Sequence, residues 1–90
     1  MFILTVSGKE GDGAYSVTND EGNEILYLFE DEDDAIRYAL MLEDEGYPEM
    51  HVIEVEDEIM IKTCQVHGYN YTIITPNDIV ITPQINHDLI

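Results

Sequence analysis

Residues 24–46 read EILYLFEDEDDAIRYALMLEDEG, and three changes of pattern inside them decide the fold. Ile25 to Phe29 is apolar at every position, the mark of a strand covered on both faces rather than one that alternates between core and water. Five consecutive carboxylates follow, Glu30 to Asp34. Asp31 is the natural N-cap of a helix, and acids in a first turn gain roughly 0.3–1 kcal/mol each from the positive end of the helix dipole. Ala35, Tyr38, Ala39 and Leu42 then keep the i, i+3, i+4, i+7 spacing of a buried helical face. Gly46 is placed to end the helix, and Tyr47-Pro48 cannot continue it.

Two features of this helix go beyond what its own stability asks for. Ile36 and Leu40 form an i, i+4 pair well off the buried face, so they either pack beneath a neighbouring element or stand exposed as a contact patch. Glu43, Asp44 and Glu45 fall in the last turn, where negative charge opposes the dipole.

Outward from this stretch, Phe2–Val6 is a β-rich apolar run, and residues 7–13 form a loop with three glycines. Ala14–Thr18 alternates as a half-solvated strand does, and the turn residues 19–23 predict a hairpin joining it to the next strand. His51–Val55 reads as a fourth strand. A second, shorter helix opens at Asp57 and Glu58, turns Met60, Ile61 and Cys64 towards the sheet and stops at Gly68. Tyr69–Thr75 is a fifth strand ended by Pro76, Ile79–Ile81 a short edge strand, and residues 84–90 a loose tail. The expectation is one domain over residues 1–83, of the α+β class, in the order β-β-β-α-β-α-β. Its architecture is that of a two-layer α/β sandwich, ferredoxin-like in general character. With both helices on one face, the all-apolar third strand needs cover on the other: a homodimer, the tail or a partner.

The chain has 90 residues, with twenty Asp and Glu against Lys9, Arg37 and Lys62, for a formal charge of −17. Nucleic acid and anionic membranes are excluded as direct ligands, because phosphate binding draws on Lys and Arg. High charge also serves solubility alone. Cys64 is the single cysteine, so no internal disulfide forms and a reducing, cytoplasmic setting is expected. FILTV at the start is too short for a signal h-region, and no apolar run approaches a membrane span.

The residues offer little chemistry. Glu30 to Asp34 lack EF-hand spacing, and a helix start points successive side chains in different directions, so a capped and solvated corner is expected rather than a Ca²⁺ or Mg²⁺ site. Cys64 and His67 form C-x-x-H, but one pair cannot close a tetrahedral zinc site, and Cys64 reads as a small buried hydrophobe. No P-loop, G-x-G-x-x-G, G-x-S-x-G or HExxH is present. No catalytic residue, cofactor or metal is expected. Of the six tyrosines, Tyr47 and Tyr69 sit on turns, where a ring with a polar tip serves either loop packing or a partner contact.

Across FEDEDDAIRYALMLEDEGYPEM (residues 29–50), VIEVEDE (52–58) and KTCQVHGYNYTIITPNDIVITP (62–83), the chain resembles a family of short acidic proteins of unknown function from cyanobacteria, cyanophages and plastid lineages. The positions that carry the likeness are Phe29, Asp33, Asp34, Ala35, Arg37, Tyr38, Ala39, Leu42 and Glu43, with Tyr47-Pro48 and Cys64 after them. The resemblance implies a photosynthetic bacterial or phage setting and brings no activity with it.

The function expected from these residues is a non-catalytic protein–protein interaction or regulatory module. Its docking residues are Asp31, Glu32, Asp33, Asp34, Ile36, Leu40, Glu43, Asp44 and Tyr47, and its partner is a host or cellular protein of basic character. The first alternative is a nucleic-acid mimic that blocks a DNA- or RNA-binding protein, which requires carboxylates in rows on one surface. The second is a small metal-binding protein or enzyme.

Overall fold

In the computed structural model, which describes residues 1–9, 11, 13–78 and the backbone of 87–89, the opening stretch forms β3 (Glu24–Phe29) and α1 (Glu32–Asp44). Before them come β1 (Phe2–Val6) and β2 (Tyr15–Thr18). After them come β4 (Met50–Glu54), α2 (Asp57–His67), β5 (Asn70–Ile74) and β6 (His87–Leu89). The protein is of the α+β class, and through β5 its element order is the expected β-β-β-α-β-α-β.

Every other part of the six-stranded sheet is arranged around β3. Five strands run in the order β4-β1-β3-β2-β6, each antiparallel to its neighbour, and β5 lies parallel on β3 over residues 25–29. A strand has two edges, so β1 and β2 share the edge that β5 does not use. Ile25 and Leu26 face Val17 and Ser16 of β2, and Phe29 faces Phe2 of β1. The hairpin between β2 and β3 is held as its turn residues predict: Asn19 Oδ1 accepts the N–H groups of Glu21 and Asn23 at 2.9 and 3.0 Å.

The layering corrects the two-layer, ferredoxin-like expectation. Leu4, Val6, Tyr15, Phe29 and Met50 pack with Ala35, Tyr38, Ala39 and Leu42 of α1. Ile3, Leu26 and Leu28 pack instead with Cys64 of α2, joined by Ile53, Val55, Met60 and Ile61. Alternate residues of a strand point to opposite faces, so α1 and α2 cover opposite sides of the sheet. The cause is topological. From β3 the chain crosses β1 to reach β4, and from β4 it returns past β1 and β3 to β5. Two crossovers of the same hand that travel in opposite directions must leave their helices on opposite faces. The second cover that an all-apolar β3 requires is therefore supplied by α2, and the ground for a homodimer through an uncovered sheet face is gone.

Both helices end in the glycine geometry that their sequences predict. Gly46 has φ 94°, the Gly46 N–H donates to Glu43 O and the Tyr47 N–H to Leu42 O, both at 3.0 Å, a Schellman pair. Gly68 at φ 70° closes α2 with Tyr69 N–H donating to Cys64 O at 2.8 Å. Within the expected tail at 84–90, His87–Leu89 form a strand that pairs with Tyr15–Val17. An open strand edge recruits backbone through its N–H and C=O groups, which leaves no side-chain pattern to read. The strand expected at Ile79–Ile81 lies outside the described residues, as do residues 84–86 and 90.

Candidate functional site

Strands β3, β4 and β5 point the same way, because β3 and β4 are both antiparallel to β1 and β5 is parallel to β3. Their carboxyl ends, the N-termini of both helices and the start of β1 thus meet at one end of the sheet. Two backbone bonds fasten that end: Glu30 N–H donates to Ile74 O at 2.9 Å and Val55 N–H to Met1 O at 2.8 Å. Gathered there are Glu30, Asp31, Glu32, Asp33, Asp34, Glu54, Glu56, Asp57, Glu58 and Asp78, half of the chain's twenty acids.

In open α/β sheets this end holds phosphates and nucleotides on helix N-termini. Here the chain's own carboxylates occupy the position. Asp31 caps α1 by accepting the Asp33 N–H at 3.2 Å, and Asp57 takes the ammonium of Met1 at 2.9 Å. An anionic ligand would meet these carboxylates, with only the Met1 ammonium and Arg37 among the described residues to oppose them. A cation would find no cage either, since among the described residues no three His, Cys, Asp or Glu converge as a metal requires.

A cleft of about 40 Å³ lies between α1 and the end of β5, lined by Phe29, Asp34, Arg37, Tyr38, Met41, Ile74 and Asp78, room for water but not for a metabolite. A wider hollow is lined by Thr18, Gly22, Asn23, Glu24, Gly68, Tyr69 and Asn70. Cys64 is fully buried beneath α2, where burial pushes its thiol up. His67 is exposed and stacks on Tyr69, with ring centres 5.5 Å apart. The C-x-x-H pair is therefore split between core and solvent.

The docking residues expected from sequence lie along one helix, with one exception. Ile36 is 40% exposed and Leu40 57%, so the pair stays in solvent rather than beneath a neighbouring element. Glu32, Asp33, Glu43 and Asp44 are exposed with them, while Asp34 is half-buried and accepts a 2.9 Å bond from Arg37 Nη1. Tyr47 is the exception. It is half-buried against the α1 core, edge-on to Tyr15 at 6.3 Å, because the Schellman turn folds residue 47 back over the helix. Its ring serves packing, whereas Tyr69 remains open.

Sequence reasoning passed over Ile59 and Val66, which are exposed on the outer side of α2 with Lys62 and Thr63. Their i, i+7 spacing, off the face of Met60, Ile61 and Cys64, was the available signal. A family model described as a domain of unknown function, DUF3110, matches residues 1–84. No curated protein and no solved structure matches the chain.

Proposed function

Because the chain belongs to this family of unknown function, whose description assigns no activity, we propose from its surface that it acts as a non-catalytic acidic protein–protein interaction or regulatory module. The observation that carries the reading is the pair Ile36 and Leu40, left in solvent on the outer side of α1 within a frame of Asp33, Glu43 and Asp44. Two apolar side chains one turn apart contribute docking area, and the carboxylates around them select a partner that surrounds an apolar contact with Lys and Arg. The last-turn acids fit this role, since they oppose the helix dipole and no basic residue offsets them there. The partner is a cytoplasmic protein of a cyanobacterium or of the host of a cyanophage.

Affinity capture from a cyanobacterial lysate tests the reading. The wild-type chain should retain one protein that is released by salt, and an Ile36→Asp, Leu40→Asp double variant should retain none. Failure to capture any protein at low salt with the wild type sinks it.

The concentration of half the acids at one end of the sheet favours a second reading, a nucleic-acid mimic that occupies a DNA- or RNA-binding protein. In that case duplex DNA or RNA should displace the captured partner, and the Ile36 and Leu40 variant should still bind.

A further inference from the structure

Among the described residues no strand pairs with the outer edge of β5, and the hydrogen-bonding groups along it are disposed symmetrically. Glu30 N–H bonds to Ile74 O, which fixes the phase of the parallel ladder with β3: Asn70, Thr72 and Ile74 turn both backbone groups towards β3, and Tyr71, Ile73 and Thr75 turn theirs away. Thr75 is already satisfied. Its N–H donates to Asp78 Oδ2 at 2.8 Å, and its carbonyl accepts the Asp78 N–H at 3.0 Å. Among the described residues, β5 pairs with β3 alone, so Tyr71 and Ile73 present two N–H and two C=O groups to the outside. Ile73 is 39% exposed beside them.

This edge also lacks the devices that keep sheet edges apart. Residues 69–75 read YNYTIIT, with no charge, glycine or proline, whereas the edge of β4 that no described strand pairs is flanked by exposed Glu49 and Glu54. Natural edges are blunted with charge, Pro or bulges. In a chain of charge −17, seven neutral residues on an open edge leave a site where a second copy meets no carboxylate directly opposite.

We propose that two copies of the chain join through β5, antiparallel about a twofold axis at Thr72, into one continuous sheet. The register closes on itself. Tyr71 exchanges both backbone bonds with the second copy's Ile73, Ile73 does the same with the second copy's Tyr71, and all four outward groups are satisfied. The two Thr72 side chains face each other as a non-hydrogen-bonded pair, and each Tyr71 ring lies beside an Ile73, a favourable aromatic and β-branched pairing. The twofold makes the contact isologous and closed at two copies. This pairing uses no residue of the α1 docking surface and stands apart from it.

Analytical ultracentrifugation of the 90-residue chain tests the proposal. The wild type should reach twice the chain mass as concentration rises, and dimer should increase with salt, since screening relieves repulsion between two acidic copies. Capture of a basic partner weakens with salt, so failures of the two readings are told apart. Ile73→Pro removes one outward N–H per copy and no bond to β3, and Thr72→Lys sets two cations opposite each other at an exposed position. Each should weaken association at least tenfold. Thr72→Cys should cross-link rapidly on oxidation, because facing Cα atoms in such a pair lie about 4.5 Å apart, and Cys64 is buried. A wild type that stays monomeric at every concentration and salt overturns the proposal, as does a dimer that survives Thr72→Lys without cross-linking through Thr72→Cys.

Discussion

The hydroxyl oxygens of Tyr15 and Tyr38 lie 3.3 Å apart, with the two side chains only 1% and 2% exposed. The pair joins β2 to α1 inside the larger core. Around it stand Tyr27, Phe29 and Tyr47 at ring separations of 5.6 to 6.4 Å, so a chain without Trp builds its main aromatic contacts from tyrosine. Each buried hydroxyl answers the other, which removes the cost of burying either alone.

Burial, and then the bond to Tyr15, pushes the Tyr38 phenol above its ordinary 10.0. Its folded form keeps the proton where an unfolded Tyr38 would lose it. The sign follows: this contribution is whole below pH 10.0 and is lost as pH rises beyond it. Denaturation midpoints should fall above about pH 10. Tyr38→Phe should cost about 1 kcal/mol near neutrality and flatten the alkaline decline; an unchanged decline would contradict the coupling.

Twenty acids against three Lys and Arg leave strong repulsion, relieved locally among the described residues at Arg37 with Asp34 and at the Met1 ammonium with Asp57. The melting temperature should therefore climb as salt rises from about 0.01 M to about 0.15 M, over which the Debye length shortens from ~30 Å to ~8 Å. A flat response would show that the carboxylates do not strain the fold.

Leu42 has no exposed surface and Leu40 is mostly exposed on the same helix. Leu42→Ala should cost 2–5 kcal/mol, roughly the price of a buried leucine, while Leu40→Ala and Ile36→Ala should stay within about 0.5 kcal/mol. Thermal melts check the first and partner capture the second. Large losses of stability from Leu40→Ala would show that it supports the fold rather than a partner.

Asp44 ends α1 with no basic residue in its last turn. Replacing it with Lys should stabilise the protein by about 0.3–1 kcal/mol through the dipole and weaken capture of a basic partner. An Asp44→Lys chain that is both more stable and fully competent in capture would remove the last-turn acids from the docking surface.

Much of the local structure was legible in the residues themselves. Asp31 as cap, the Ala35, Tyr38, Ala39 and Leu42 face, the Asn19 to Asn23 turn and the glycine stops all stand where side-chain chemistry demands. The exposure of Ile36 and Leu40 was half-legible: periodicity placed them off the core face, but whether a neighbour covered them depended on where α2 lay. Tyr47 on its turn gave no hint that the Schellman geometry would return its ring to the core.

The sequence by itself thus determined a small α+β chain, its elements and their caps, because propensity, capping and periodicity act over a few neighbouring residues. Only the tertiary structure decided that α1 and α2 lie on opposite faces, that β1 and β2 share one edge of β3, that half the acids gather at one end, and that no described strand pairs with the outer edge of β5. Those outcomes follow from strand order and the direction of each crossover. They are relations between residues distant in the chain, and no local pattern records them.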